Sequence, residues 1–250
     1  TPFLTAPDSK CPADFLALAG GGEPLPVGFV RAIGPAILET ARDAIAAGLA
    51  RPVLFGEAAR VRADAADMGW DLQGAEVVDS DGEQGAIEAA VAAVQDGSAR
   101  GLIKGQLHTD VFMGTIVRRS SGIRTDRRLV HIFAMLPPGG GLPLLISDAA
   151  VNIVPDVKTR TEAALAMAAL LRRMGVATPR IAVLSATESK LEAMPSSIEA
   201  EEIAGAAAAA DPDAAFAGPL SLDLAISPES ARIKGIDPDS AQGAVAGRAQ

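Results

Sequence analysis

The chain has 250 residues, 49% hydrophobic and 21% charged, and its 22 Lys and Arg against 31 Asp and Glu give a net charge of −9. This is a globular composition with room for one large or two small domains, and its acidity disfavours a generic polyanion-binding surface. One Trp, no Tyr and the single Cys11 argue against a base-stacking platform, an internal disulfide framework and a Cys-rich metal site, which is the pattern of a cytoplasmic protein.

The opening residues, TPFLTAPDSKCPADF, carry Asp8, Lys10 and Asp14 and lack an unbroken apolar stretch, which argues against a signal peptide or an anchor. Gly-Gly-Gly at 20–22 is no dinucleotide fingerprint, because no G-x-G-x-x-G follows a strand. From Pro35 to Ala50 the spacing of Ile37, Ala41, Ala44, Ile45 and Leu49 predicts a helix, which Arg51–Pro52 stops before the apolar strand VLFG. A second cycle follows, a helix from Glu57 to Gly69 and a short strand in AEVVDS. In the third, Ile87, Val91 and Val94 mark a helix from Gln84 to Gly97, and RGLIKG reads as a buried strand running into glycine. The charge-free run from Leu129 to Ser147 is long enough to attract a membrane assignment, but its prolines and glycines break any spanning helix and predict strand, turn, strand. Beyond it come a strand ending at Asp148, a helix from Thr161 to Gly175, a core strand in RIAVLSATES, and an Ala-rich segment from Glu199 to Ala210 that reads as a helix or as a weakly ordered surface stretch.

Strands alternating with helices of this length predict an α/β protein with a parallel or mixed sheet covered on both faces. In such sheets ligands sit beyond the carboxyl ends of the strands. That rule selects the loops Lys104–Thr109, Asp148–Asn152, Ser185–Ser197 and Gly218–Asp223.

The stretch from Gly101 to His131 holds both histidines, His108 and His131, and six basic residues against two acidic ones, net +4 in a chain of −9. Two readings stand side by side, an electrostatic funnel for a multiply anionic small ligand and a solvated arginine-rich helix end paired with acids elsewhere. Within it K-G-Q-L-H-T directly follows a strand. Lys104 offers a point charge, Gly105 permits close backbone approach, and Thr109 is placed to cap a helix whose free N–H groups would face an anion, although P-loop spacing is absent. His131, between Val130 and Ile132, reads as a strand histidine. Asp148 and Asn152 in SDAAVNI either hold a ligand or cap a turn. Ser196 and Ser197, shortly before Glu199, read first as a helix start.

Taken together, L-I-K-G-Q-L-H-T-D, S-G-I-R-T-D-R-R-L-V-H-I-F-A-M, L-L-I-S-D-A-A-V-N-I, A-V-L-S-A-T-E, M-P-S-S, G-P-L-S-L-D-L-A-I-S-P-E-S-A-R-I-K-G-I and A-V-A-G-R-A-Q resemble the phosphate acetyl/butyryltransferase family, in the family's order. The resemblance implies transfer of an acetyl, propionyl or butyryl group between coenzyme A and phosphate. It implies two three-layer α/β domains like those of isocitrate and isopropylmalate dehydrogenases, over residues 1–126 and 127–250, with a cleft between them, and a homodimer. CoA is then a substrate, no metal or permanently bound cofactor is needed, and neither nucleic acid nor membrane is a partner. Carried over from the family, Lys104 and His108 are the catalytic candidates. Gly105, Thr109, Arg124, Arg128, Asp148, Asn152, Pro195, Ser196 and Ser197 are substrate contacts. Family members continue past A-V-A-G-R-A into a segment with a Ser-Arg pair and an Asp that activate the thiol, so the resemblance implies that this base lies outside residues 1–250. A non-catalytic CoA- or phosphate-binding homologue, or a truncated inactive fragment of such an enzyme, is the alternative. A metal-dependent dehydrogenase of the same fold is disfavoured, because the strand-end loops offer Asp148 but no dense carboxylate set.

Overall fold

The computed structural model describes Cys11, residues 13–137 and residues 141–250. The amino-terminal stretch weighed against a signal peptide lies largely outside the described residues, as do Pro138, Gly139 and Gly140 of the predicted turn. Chain contacts divide the protein into two compact units, Ala19–Asp126 and Arg127–Gln250, the latter joined by residues 13–18. A short helix, α1 (Ala13–Ala19), comes first among the described elements.

The unit Ala19–Asp126 alternates β1 (Leu25–Val30), α2 (Pro35–Ala46), β2 (Ala50–Gly56), α3 (Ala58–Asp67), β3 (Glu76–Asp79), α4 (Gly82–Gln95), β4 (Gly101–Lys104) and α5 (Thr109–Val117). All four strands are parallel, in the order β3-β2-β1-β4. Alternation along each strand sends side chains to both faces. Phe29 and Leu54 pack with Leu38, Val61 and Trp70 under α2 and α3. Val30, Val53 and Phe55 pack with Ile87 and Val91 of α4 and with Leu107. Both faces are thus covered, as a parallel sheet requires. β1, which the sequence reading leaves unassigned, is a central strand. β2 and β3 are laid to one side of it and β4 crosses to the other, so the topological switch point falls between the carboxyl ends of β1 and β4.

The unit from Arg127 contains an antiparallel pair, β5 (Ile132–Met135) and β6 (Leu144–Ser147), and a parallel pair, β7 (Arg180–Leu184) and β8 (Ala215–Leu220). Its helices are α6 (Val157–Arg173), α7 (Pro195–Ala210) and three short ones, α8 (Leu222–Ile226), α9 (Pro228–Lys234) and α10 (Ala241–Val245). Two helices begin four residues earlier than the apolar pattern indicates. For α6 the reason is the Asp156 carboxylate, which accepts from the Thr159 N–H at 2.8 Å and so caps the first turn. For α7 it is Pro195, whose fixed φ suits the first helical position. The Ala-rich segment is a helix because Ala200, Ile203, Ala204 and Ala207 are buried. The bidentate pair of Arg172 with Asp211, at 2.6 and 2.8 Å, ties the end of α6 to the end of α7. Among the described residues no helix is long and apolar enough to cross a membrane.

Leu54 is fully buried in the central part of the sheet. Leu54→Ala is expected to cost about 2–5 kcal/mol, read as a lower urea midpoint with an unchanged slope.

Candidate functional site

The switch point is built by a close approach of two backbones. The Gly105 N–H donates to the Val30 carbonyl at 2.9 Å and the Gln106 N–H to the Arg31 carbonyl at 3.0 Å, continuing the β1–β4 ladder past its last paired residues. A Cβ on Gly105 would stand 2.5 Å from the Arg31 oxygen and 2.6 Å from the Val30 oxygen, so glycine is required there by space.

Arg31 follows β1 directly and holds φ at +51°, a region L residues seldom occupy. That conformation turns its guanidinium toward the neighbouring strand exits. It donates to Glu57 at the exit of β2 and to Glu83 in the first turn of α4, each at 3.3 Å, and to the Gln106 carbonyl at 3.1 Å. Glu83 in turn accepts from the His108 main-chain N–H at 2.9 Å, and its two oxygens lie 2.9 Å from His108 Nδ1. The ring is 78% exposed, so Nε2 is left on the solvent side while Nδ1 is engaged. Arg31 Nε and Glu57 Oε2 are buried without a partner among the described residues.

The titration of these groups follows from their contacts. The hydrogen bonds from the His108 main chain and ring hold Glu83 below the usual carboxylate range, and the same carboxylate raises His108 above its ordinary value, helped by Asp110 and opposed by burial and by Lys104. Burial pushes Glu57 up, but hydrogen bonds from its own main-chain N–H and from Arg31 outweigh it and the net shift is downward.

Lys104, Gly105, His108 and Thr109 lie together at this strand end. Lys104 is exposed and makes no ion pair among the described residues. Thr109 is the first helical residue of α5 rather than its cap. His108 holds the cap position with extended dihedrals, because the Glu83 carboxylate already takes its N–H. The expected backbone cradle is also largely spent, since the N–H groups of Gly105, Gln106, Leu107 and His108 all have partners. What remains for an anion is Lys104, His108 Nε2 and the free amides of the first turn of α5. Arg124 is exposed and donates to the Val117 carbonyl at 3.3 Å.

The second unit has a cavity of its own, about 480 Å³, that runs along β6 and β7. Asp148, Asn152 and Ser196 line it, with Ser147, Arg160 and Gln250 among the other walls. Burial pushes the Asp148 carboxyl up, but donors from Asn152 Nδ2 and the Ala150 and Val151 N–H groups bring it below the usual range, so it stands as a fixed anion. Asn152 Nδ2 also donates to the Leu129 carbonyl at 3.2 Å, and the Ser196 and Ser185 hydroxyls are 3.0 Å apart. Pro195 is exposed at the first position of α7. Ser197 is wholly buried and does not line the cavity; its hydroxyl accepts from the Leu191 N–H and faces the Leu191 and Met194 carbonyls. Arg128 is exposed, and its main-chain N–H donates to Glu162 at 3.2 Å.

Sequence reasoning missed Arg31, Glu57 and Glu83. The strand-end rule would have found the first two, each directly following a strand, had β1 been assigned and the rule applied to all four strands. Nothing local marks Glu83, whose partner His108 lies 25 residues away.

Residues 84–250 match the sequence model of a family described as phosphate acetyl/butaryl transferase. The phosphate acetyltransferase of Rhizobium meliloti is 38% identical over 209 residues, covering 83% of this chain and 65% of that protein. The phosphate butyryltransferase of Clostridium acetobutylicum is 28% identical over 214 residues, 85% of this chain and 69% of that protein. Among solved structures, a branched-chain phosphotransacylase from Enterococcus faecalis V583 has a TM-score of 0.72 at 25% identity, covering 90% of this chain and 77% of that one. A phosphotransacetylase from Streptococcus pyogenes shares the fold with a TM-score of 0.78 at 22% identity, covering 95% of this chain and 79% of that one. The chain spans about 65% of the length of the first curated relatives it matches.

Gly105→Ala is expected to lower stability by about 1–3 kcal/mol, since the atoms it strikes are backbone and cannot swing aside; a denaturation midpoint equal to that of the unmodified chain would contradict the close approach. The His108–Glu83 contact carries a pH signature. The raised histidine makes its contribution in full below the ordinary value of 6.5 and loses it as pH rises through the folded value. The lowered Glu83 contributes above 4.5 and loses its share as pH falls through its folded value. The stability difference between the unmodified chain and His108→Asn is therefore expected to be largest between those limits and to shrink on either side in denaturation at a series of pH values.

Proposed function

The chain belongs to the phosphate acetyl/butaryl transferase family, and from that premise we propose that it moves an acetyl, propionyl or butyryl group between coenzyme A and inorganic phosphate. The observation that carries this reading is the strand-end group of Lys104, His108 Nε2 and the free amides of α5, a compact set of donors for a phosphate dianion in a chain of net charge −9.

The chemistry asks for such a set. When the CoA thiol attacks an acyl phosphate, the S–C bond forms, the bond from the acyl carbon to the phosphate oxygen breaks, and the thiol proton ends on the departing phosphate, which leaves as the hydrogen phosphate dianion. A positive charge fixed beside the departing oxygen lowers that barrier, and the same charge binds phosphate in reverse. Lys104 and His108 supply it, Gly105 lets the loop lie against β1, and Thr109 opens the helix whose amides face the anion. Arg124 and Arg128 are further anion contacts. In the other unit the polar groups of Asp148, Asn152 and Ser196, with Pro195 at the same helix start, serve the acyl-CoA, whereas Ser197, expected as a substrate contact, is wholly buried and holds the turn at Leu191 and Met194 instead.

The reading extends to a homodimeric cytoplasmic enzyme on the two-domain α/β plan of isocitrate and isopropylmalate dehydrogenases, divided near Asp126, with no metal and no resident cofactor. The parallel four-stranded sheet covered on both faces supports that plan.

The test supplies CoA with acetyl, propionyl or butyryl phosphate and follows thioester formation. Turnover with at least one is expected of a protein that carries this chain together with the segment implied to hold the thiol base, with kcat/KM differing about 10–200-fold per methylene between neighbours. Lys104→Ala is expected to raise the KM for the acyl phosphate about tenfold while leaving the unfolding midpoint in place. CoA binding without turnover of any acyl phosphate would assign a ligand-holding role instead.

A further inference from the structure

We propose that Glu83 is the positioning residue of this site: its carboxylate clamps both the main-chain N–H and Nδ1 of His108, so that the imidazolium presents a fixed Nε2–H to a phosphate dianion. The proposal rests on the reading of Lys104–Thr109 as the phosphate loop and adds to it a residue that touches no substrate.

Two independent contacts from one carboxylate carry it. The bond to the main-chain N–H fixes where the loop enters α5, and the contact to Nδ1 fixes the ring about its own axis. An imidazole whose Nδ1–H is held by a carboxylate has its other nitrogen committed to the outward side, which is how carboxylates set histidine tautomer and orientation elsewhere. Glu83 is itself held. Arg31 Nη1 reaches the same carboxylate at 3.3 Å, and Arg31 is pinned at its other nitrogen by Glu57, also at 3.3 Å. Main-chain geometry fixes Arg31 in turn, because its carbonyl accepts the Gln106 N–H. Glu57, Arg31, Glu83 and His108 thus form a chain of contacts from the exit of β2 to the start of α5.

The charged groups facing His108 are Glu83 from α4, Asp110 on its own helix and Lys104 at the end of β4, with Arg31 bearing on it through Glu83. The two carboxylates favour the charged ring, and Lys104 opposes it without reversing the balance.

A competing role for Glu83 is open to test on the same residues. Its carboxylate lies where an anion at the start of α5 would lie, so it could instead compete with phosphate for these donors. The experiment is an NMR pH titration of the imidazole signals, of which the chain has only two, assigned with a His131→Asn sample. It is run with and without inorganic phosphate on the unmodified chain, Glu83→Gln and Glu83→Asp. The expected result is that His108 in the unmodified chain titrates above the ordinary value with Nδ1 protonated. In Glu83→Gln the titration moves down, and the pH at which phosphate binding is half lost moves down with it. Glu83→Asp, which keeps the charge on a shorter arm, restores part of both shifts. A His108 that titrates at or below the ordinary value in the unmodified chain overturns the proposal without any variant, as does a titration unmoved in Glu83→Gln. Tighter phosphate binding across the whole pH range in Glu83→Gln also overturns it, by making Glu83 a competitor. If the titration moves as expected but phosphate leaves His108 unperturbed in the unmodified chain, the hold of Glu83 on His108 stands and the phosphate-loop reading falls.

Discussion

The contact on which the rest of the site depends is the approach of Gly105 to the carbonyls of Val30 and Arg31, closer than any side chain would permit. It carries the β1–β4 ladder two hydrogen bonds beyond the last residues of the sheet and ends it where the topology opens a crevice. With the loop so anchored, residues 106–108 have one path to the start of α5, and that path brings the His108 N–H onto Glu83. Arg31, forced to a positive φ at the same point, turns its guanidinium onto the two carboxylates and the Gln106 carbonyl. Backbone sterics thus determine an electrostatic arrangement.

That arrangement sorts charge by depth. Arg31, Glu57 and Glu83 are about two-thirds or more buried, with one guanidinium set between two carboxylates and the second carboxylate also facing His108, while Lys104 and the outer nitrogen of His108 are left toward solvent. A partly buried ion-pair network of this kind is weak evidence for stability, because desolvation offsets much of the attraction, but it holds a single geometry. Its value here lies in orientation. The chain carries a net charge of −9, and the exposed cations at this strand end stand out against it.

The unit from Arg127 solves a similar problem differently. No basic side chain dominates its cavity; Asp148 is fixed as an anion by three donors, and hydroxyls and amides supply the remaining polarity. One helix start separates two adjacent serines completely. Ser196 reaches the cavity, whereas Ser197, one residue and about 100° further round the helix, is sealed into the turn by Leu191 and Met194.

Much of this was legible in the order of residues. Helical spacing in 35–97, β-branched runs and glycine stops yield the alternating α/β pattern, because burial of one face imposes its period on the chain. The K-G-Q-L-H-T loop stands out as a strand end with a cation, a glycine and a histidine, and the proline-glycine run at 137–143 reads as a turn on local backbone chemistry alone. Helix starts at Val157 and Pro195 fall short of the pattern because capping by Asp156 and the fixed φ of Pro195 act outside the apolar period. What only the tertiary structure decided is which polar groups meet. Arg31, Glu57 and His108 on three loops and Glu83 in the first turn of α4 are spread over 78 positions, and no local period links them. Their meeting follows from parallel strand order, which brings the carboxyl ends of β1, β2 and β4 and the start of α4 to one edge, and from the loss of the Gly105 Cβ, which lets the last of those loops close on the first.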